Sequence, residues 1–316
     1  MITVCGEALV DLVSTDGRHF TAHPGGSPAN VAVGLARLGA PTSLLARLSK
    51  DPFGRLVRAH LLDNGVDGRD LVEAAEATTL AIATVDAEGS ATYEFYVEGT
   101  ADWQWTDDEL PDLLPDDVDA IHTGSIVLEL APGAARVEAL LGREHERRAV
   151  TVSYDPNVRL ARRRSRSDGL AAVERVVALA DVVKVSSDDL DWLLPDVACE
   201  DVACRWLGLG PALVVVTLGA AGALALGRGA GEVRISPRQI DVADTVGAGD
   251  AFTSGLLAGL AERRLLGGAA SERLRGVDAG QLAAVVEYAA LVATLTCTRP
   301  GANPPTRQEV EAWLSA

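Results

Sequence analysis

Apolar positions follow two rhythms along this chain. Residues 2–5 form a short run, Ile-Thr-Val-Cys, that stops at Gly6-Glu7 and predicts a buried strand. Residues 14–24 are polar and turn-rich, with Asp16-Gly17 placed to turn a small hairpin. Residues 27–38 carry helical spacing. Ser27 reads as the N-cap, Pro28 as the first helical position and Gly39 as the stop. A strand follows at 42–48, then a helix from Asp51-Pro52 to Asn64-Gly65. Residues 79–85 and 91–97 alternate apolar with polar across Asp86-Ala-Glu-Gly-Ser90, which predicts a hairpin with one polar face.

From residue 119 the rhythm changes to strand then helix. Strands are expected at 120–122, 149–154, 181–185 and 213–217, and helices at 131–147, 168–179, 188–194 and 201–207. Short β-branched runs alternating with helices predict an α/β fold, a mostly parallel sheet with helices on both faces. Such a sheet binds ligands at the carboxyl ends of its strands. Residues 238–242 read as extended and 251–260 as an apolar helix. No repeat or long linker divides the sequence, so one domain over 1–316 is expected.

Between those last two elements stands Asp244-Thr-Val-Gly-Ala-Gly-Asp250. A glycine-rich turn at a helix start leaves backbone N–H groups pointing one way, which makes a site for an anion. Gly247, Ala248 and Gly249 supply that anion hole, and Asp250 sets a carboxylate beside it. Like charges repel, so this arrangement suits simple phosphate binding poorly. It suits phosphoryl transfer well: the carboxylate takes a hydroxyl proton while N–H donors hold the phosphate. A helix N-terminus is expected to lower the Asp250 pKa. The bland alternative is that Asp250 only caps the helix.

Composition narrows the partners. The net charge is -17, from 45 acidic and 28 basic residues, which opposes nucleic acid and anionic membrane surfaces. Lys50 and Lys184 are the only lysines, and neither belongs to a Walker A loop. There is no His-Arg-Asp catalytic loop and no Gly-x-Gly-x-x-Gly after the first strand, which excludes protein kinases and dinucleotide dehydrogenases. Cys5, Cys199, Cys204 and Cys297 form no Cys-x-x-Cys and have no zinc-site spacing. The longest apolar tract, 283–298, contains Glu287 and is too short to span a bilayer, and the start has no signal-peptide pattern. A cytoplasmic protein is expected. The basic run 159–166 reads as solvated surface, apart from Arg159.

A second motif, Gly25-Gly-Ser-Pro-Ala-Asn30, opens the 27–38 helix. With Gly6-Glu-Ala-Leu-Val-Asp11 and the late Asp-Thr-x-Gly-Ala-Gly-Asp, it resembles the ribokinase-like sugar kinases, or PfkB family, over essentially the whole chain. The resemblance implies ATP as co-substrate, Mg²⁺, and a lid built from about 12–24 and 78–100. It implies Asp250 as general base and sugar binding by Asp11, Gly25, Gly26, Asn30 and Arg159. Asp11 interrupts an apolar run, where a carboxylate needs donors that sugar hydroxyls supply. On the nucleotide side it implies Thr217, Gly219, Gly222, Gly301 and Asn303, with Ser186 standing for the family's Asn. Asp189 stands for the family's Glu and is one methylene shorter, so it would reach Mg²⁺ through water. Asp244 and the Val246 carbonyl match a K⁺ site of many relatives.

For the sugar, Glu94-Phe-Tyr-Val-Glu-Gly-Thr-Ala-Asp102 resembles fructokinases most, and fructose is the first expectation. 2-Keto-3-deoxygluconate or ribokinase-type activity is the alternative. An acidic substrate would want a cation in this segment, and 93–102 has no Arg or Lys. A catalytically silent sugar- or nucleotide-binding regulator is the reading of another class; the retained Asp250 and its glycines oppose it. Trp103 and Trp105 are expected to pack at the base of the lid, and the lid itself to form a homodimer contact, because two-stranded lids leave open edges.

Overall fold

The computed structural model describes all residues except 86–90, 160–164, 238–239 and 316. Its main sheet has nine strands: β1 (Ile2–Cys5), β4 (Thr42–Ser49), β5 (Leu71–Ala74), β8 (Ala120–Gly124), β9 (Thr151–Asp155), β10 (Val182–Ser186), β11 (Leu213–Thr217), β12 (Ala223–Gly227) and β13 (Gly231–Ile235). Their order is β13-β12-β11-β10-β9-β8-β1-β4-β5. All pairings from β11 to β5 are parallel; β12 and β13 add an antiparallel edge.

Successive residues of one strand serve two cores. Val182 and Leu213 belong to one apolar cluster, and Val183 and Val214 to another. The β-branched runs are therefore continuous rather than alternating, as a sheet buried on both faces requires. One face is covered by α1 (Ser27–Arg37), α2 (Pro52–Asp63), α7 (Ala248–Glu262) and α9 (Ala279–Cys297). The other takes α3 (Gly133–Arg147), α4 (Arg166–Val177), α5 (Ser187–Leu193) and α6 (Cys199–Leu209). Two short helices, α8 (Ser271–Arg275) and α10 (Arg307–Leu314), complete the C-terminal part.

A smaller sheet has the order β3-β2-β6-β7, from β2 (Leu9–Ser14), β3 (Thr21–Gly25), β6 (Leu80–Val85) and β7 (Ala91–Tyr96). Its first strand begins at Leu9, so Asp11 lies within this sheet rather than just past β1. The expected turn of the 79–97 hairpin lies outside the described residues. So do Arg238 and Gln239; residues 240–242, expected to be extended, form no strand. The β12–β13 hairpin was not anticipated. Helix α9 runs 19 residues, longer than the 283–298 tract suggests, and has the length and composition of a membrane span. It packs along α7, with Leu282, Val286, Val292 and four more residues in the core.

Candidate active site

Three neighbouring strands end side by side: β9 in Asp155, β10 in Ser186 and β11 in Thr217, the last two opposite each other in register. Helices α1 and α7 pack together, and the first turns of α7 reach the end of β9 through Thr253 and Asp155. Gly247 is the N-cap of α7 with φ 74°, a left-handed conformation that glycine adopts without a steric cost. Ala248 spends its N–H on the Thr245 carbonyl at 3.2 Å, which takes it out of the anion hole expected of 247–249.

Asp250 sits in the first turn of α7 but caps nothing. Its Oδ1 accepts from Ser27 Oγ at 2.6 Å, and its Oδ2 from Asn30 Nδ2 at 2.8 Å. Ser27 is accordingly not the N-cap of α1. Gly26 holds that position without a side-chain bond, and the serine hydroxyl goes to the carboxylate instead. Burial pushes the Asp250 pKa up, while Ser27, Asn30 and Lys184 pull it back. The expected lowering is therefore corrected: the pKa is raised, and desolvation is the largest influence on it.

Asp11 shares this neighbourhood. Its pKa is pushed up to about 6, by burial first and then by the charge of Asp250. A Cβ on Gly25 would stand 2.1 Å from Asp11 Oδ2, so glycine there is what lets the carboxylate lie against the turn. Gly26 presses on the Glu7 carbonyl in the same way. Arg159 is less engaged than expected: its side chain is exposed and donates to the Val158 carbonyl at 3.3 Å, not to the Asp11–Asp250 wall.

On the other side, Ser186 caps α5 and donates to Asp189 Oδ2 at 2.7 Å. Asp189 Oδ1 accepts from Val158 N–H at 3.2 Å, tying the end of β10 to the loop after β9. Burial, then the Asp155 charge, raises the Asp189 pKa. Thr217 Oγ1 donates to the Val185 carbonyl at 3.4 Å, and the Gly219–Ala221 turn is closed by Leu218 N–H to the Gly222 carbonyl at 2.8 Å. Asp244 accepts from Val246 N–H at 3.0 Å and Gly301 N–H at 2.8 Å, so it bolts the C-terminal loop to the glycine turn. In that loop Asn303 Oδ1 accepts from Arg37 Nη1.

Among the described residues no group of three His, Cys, Asp or Glu could hold a metal by itself. Asp155 and Asp189 are the carboxylates at these strand ends, and Asp155 Oδ1 is buried without a hydrogen-bond partner. Mg²⁺ usually keeps several waters and binds through one or two carboxylates plus substrate phosphates. The donor set fits a metal arriving with a nucleotide, not a protein-made cage.

Two further carboxylates escaped the sequence reading. Glu7, fully buried, accepts from Ile126 and Val127 N–H at 3.4 and 3.2 Å, and burial pushes its pKa up to about 8. Asp102, also buried, accepts from Ala8 N–H at 2.8 Å and from the Thr79 hydroxyl. Both interrupt apolar surroundings, the same signal that singled out Asp11. Trp103 and Trp105 are buried, as expected of packing residues.

The structure sets a buried carboxylate, Asp250, one residue past a glycine turn at a helix start. The chain belongs to the pfkB family of carbohydrate kinases, whose family pattern matches residues 1–309. It is 37% identical to a fructokinase of Rhizobium leguminosarum bv. trifolii over 270 residues, 84% of this chain and 81% of that one. Among solved structures, a Xylella fastidiosa fructokinase with bound ATP superposes with a TM-score of 0.89 at 28% identity, covering 99% of this chain and 98% of that one. A Vibrio cholerae fructokinase bound to fructose, ADP and calcium ion superposes at 0.82 with 30% identity, covering 99% and 98%.

Proposed function

We propose that this kinase transfers the γ-phosphate of ATP to a primary hydroxyl of fructose, with Asp250 as general base. The observation that carries the reading is the Asp250 carboxylate, held by Ser27 and Asn30, charge-coupled to Asp11, and one residue past Gly249. Asp11 and Asn30 orient the sugar. Asp250 takes the hydroxyl proton as the oxygen bonds to the γ-phosphorus, the bond to the β-bridging oxygen breaks, and ADP leaves. The N–H groups of Gly247 and Gly249 offset charge on the transferring group. Mg²⁺, when bound, neutralises the phosphates; Asp189 and Asp155 are the residues that would hold its waters.

The choice of fructose is supported by the fructokinases that this chain is similar to, and by the acidic Glu94 and Glu98, which oppose a keto-acid substrate. We read the enzyme as cytoplasmic, in keeping with its four free cysteines, and as a homodimer through the small sheet, whose end strands β3 and β7 offer open edges. A K⁺ held at Asp244 and Val246 would brace the glycine turn. Coupled ADP release over a panel including fructose, ribose and 2-keto-3-deoxygluconate tests the assignment. A kcat/KM highest for fructose is expected; a clear preference for another sugar overturns the choice of substrate.

A further inference from the structure

Beneath the first turn of α7 lies an ion pair whose lysine the scheme above does not use. Lys184, in β10, points its Nζ at Asp155 Oδ2 from 2.9 Å, and their side chains are 6% and 2% exposed. Lysine is rare in this chain: only two of its 28 basic residues are lysines, and the other, Lys50, is on the surface. A buried pair such as this contributes little to stability against apolar replacements, because desolvating two charges offsets their attraction. Its position suggests a different use. A Cβ placed on Gly249 would lie 3.1 Å from Lys184 Nζ, so the ammonium ends directly under the backbone of the anion hole. Thr253, one turn further along α7, has its hydroxyl 3.1 Å from the Gly249 carbonyl and 3.4 Å from the same Asp155 oxygen, so its one proton is shared between the turn and the pair. The other oxygen, Asp155 Oδ1, is buried and unpartnered, which is costly unless something at the site uses it.

We infer that Lys184, held by Asp155, is a positioning residue of the phosphoryl-transfer site, the fixed cation that balances charge beneath the anion hole and beside Asp250. The inference rests on the kinase reading. Around Asp250 the facing groups are Asp11 from β2, Asp155 from β9, Lys184 from β10, and the neutral Ser27 and Asn30 from α1. Three carboxylates thus share one space with a single nearby ammonium. Of these groups Lys184 alone favours the ionised form of Asp250 by charge, while the field of Asp155 opposes it.

The test separates this role from a packing role. Lys184→Gln keeps a donor for Asp155 but removes the charge. The double variant Lys184→Met with Asp155→Asn removes both charges, and so spares the protein a lone buried carboxylate. For both, kcat is expected to fall by about 10²-fold, the scale of losing one preorganised electrostatic contact. In Lys184→Gln the acid limb of the pH–kcat/KM profile should move up by about one unit, as for loss of a neighbouring opposite charge, and in the double variant by less, because the opposing charge of Asp155 is gone too. The double variant should melt near the wild type, and both should bind ADP, measured by calorimetry without metal, more weakly. Activity that returns together with the melting temperature in the double variant, or an acid limb of Lys184→Gln that stays in place, would overturn the proposal. If the double variant does not fold, the acid limb of Lys184→Gln decides. A wild type that releases no ADP with any sugar would instead sink the kinase reading itself.

Discussion

The hydroxyl of Ser27 donates to the carboxylate of Asp250 at 2.6 Å, across 223 residues of chain. This bond joins the starts of α1 and α7, so the two motifs that stand far apart in sequence form one constellation. A charge-assisted bond of this kind fixes one rotamer of the base and favours its ionised form. Ser27→Ala should therefore lower kcat by about 10-fold or more, from a bond worth roughly 1.5–3 kcal/mol. It should also shift the acid limb of the rate profile upward, since a donor to the anion is lost. A variant with wild-type kcat and pH profile would assign Ser27 to local structure only.

Why that bond was invisible beforehand is instructive. Serine followed by proline fits the local grammar of a helix start, and nothing in the neighbouring residues signals a partner in α7. The strand–helix rhythm after residue 119 was legible because both faces of the sheet are buried, which forces runs such as Leu213–Thr217. The glycine turn before α7 was legible too, since the left-handed conformation of Gly247 favours glycine. Asp11 was recognised as a carboxylate needing donors, but its strand was not, because β2 pairs with β6 some seventy residues away. Glu7 and Asp102 owe their environments to similarly distant contacts, with Val127 and Ala8.

Gly25 offers a test of the proposed sugar contact of Asp11. An added methyl would meet Asp11 Oδ2 at 2.1 Å, and the carboxylate has to move. Gly25→Ala is expected to raise KM for the sugar by about 10-fold or more while KM for ATP changes little, in line with loss of a charged hydrogen-bond contact. Equal changes in both constants would mean that Asp11 does not touch the sugar.

Glu7 makes stability depend on pH. Its folded pKa is about 8 against an ordinary 4.5, because burial disfavours the anion. The native state thus binds the proton more tightly than the unfolded chain. The contribution is full below the ordinary value and is lost as pH climbs from 4.5 to about 8. Glu7→Gln, which never ionises, should gain on the wild type in melting temperature as pH rises through that window. A constant difference between the two proteins across it would place the Glu7 titration elsewhere.

Asp244 links the glycine turn to Gly301, and the same corner is where K⁺ would sit. Activity should rise with KCl when tetramethylammonium chloride keeps the ionic strength constant, and Asp244→Ala should lose that response. A flat titration of the wild type would remove the ion from the scheme and leave the rest standing.

The sharpest prediction concerns Asp250 itself. Gly247, not Asp250, is the N-cap of α7, so an amide at 250 removes no cap. An asparagine also keeps one oxygen to accept from Ser27 or Asn30, and the fold should survive with its melting temperature close to that of the wild type. What disappears is the capacity to take a proton. Asp250→Asn should then lower kcat by roughly 10²–10⁴, the usual contribution of a positioned base, while calorimetry still registers ADP binding. Loss of ADP binding would move the residue's role to the nucleotide. A normally folded variant that phosphorylates sugar at nearly the wild-type rate would refute the assignment of Asp250 as the base.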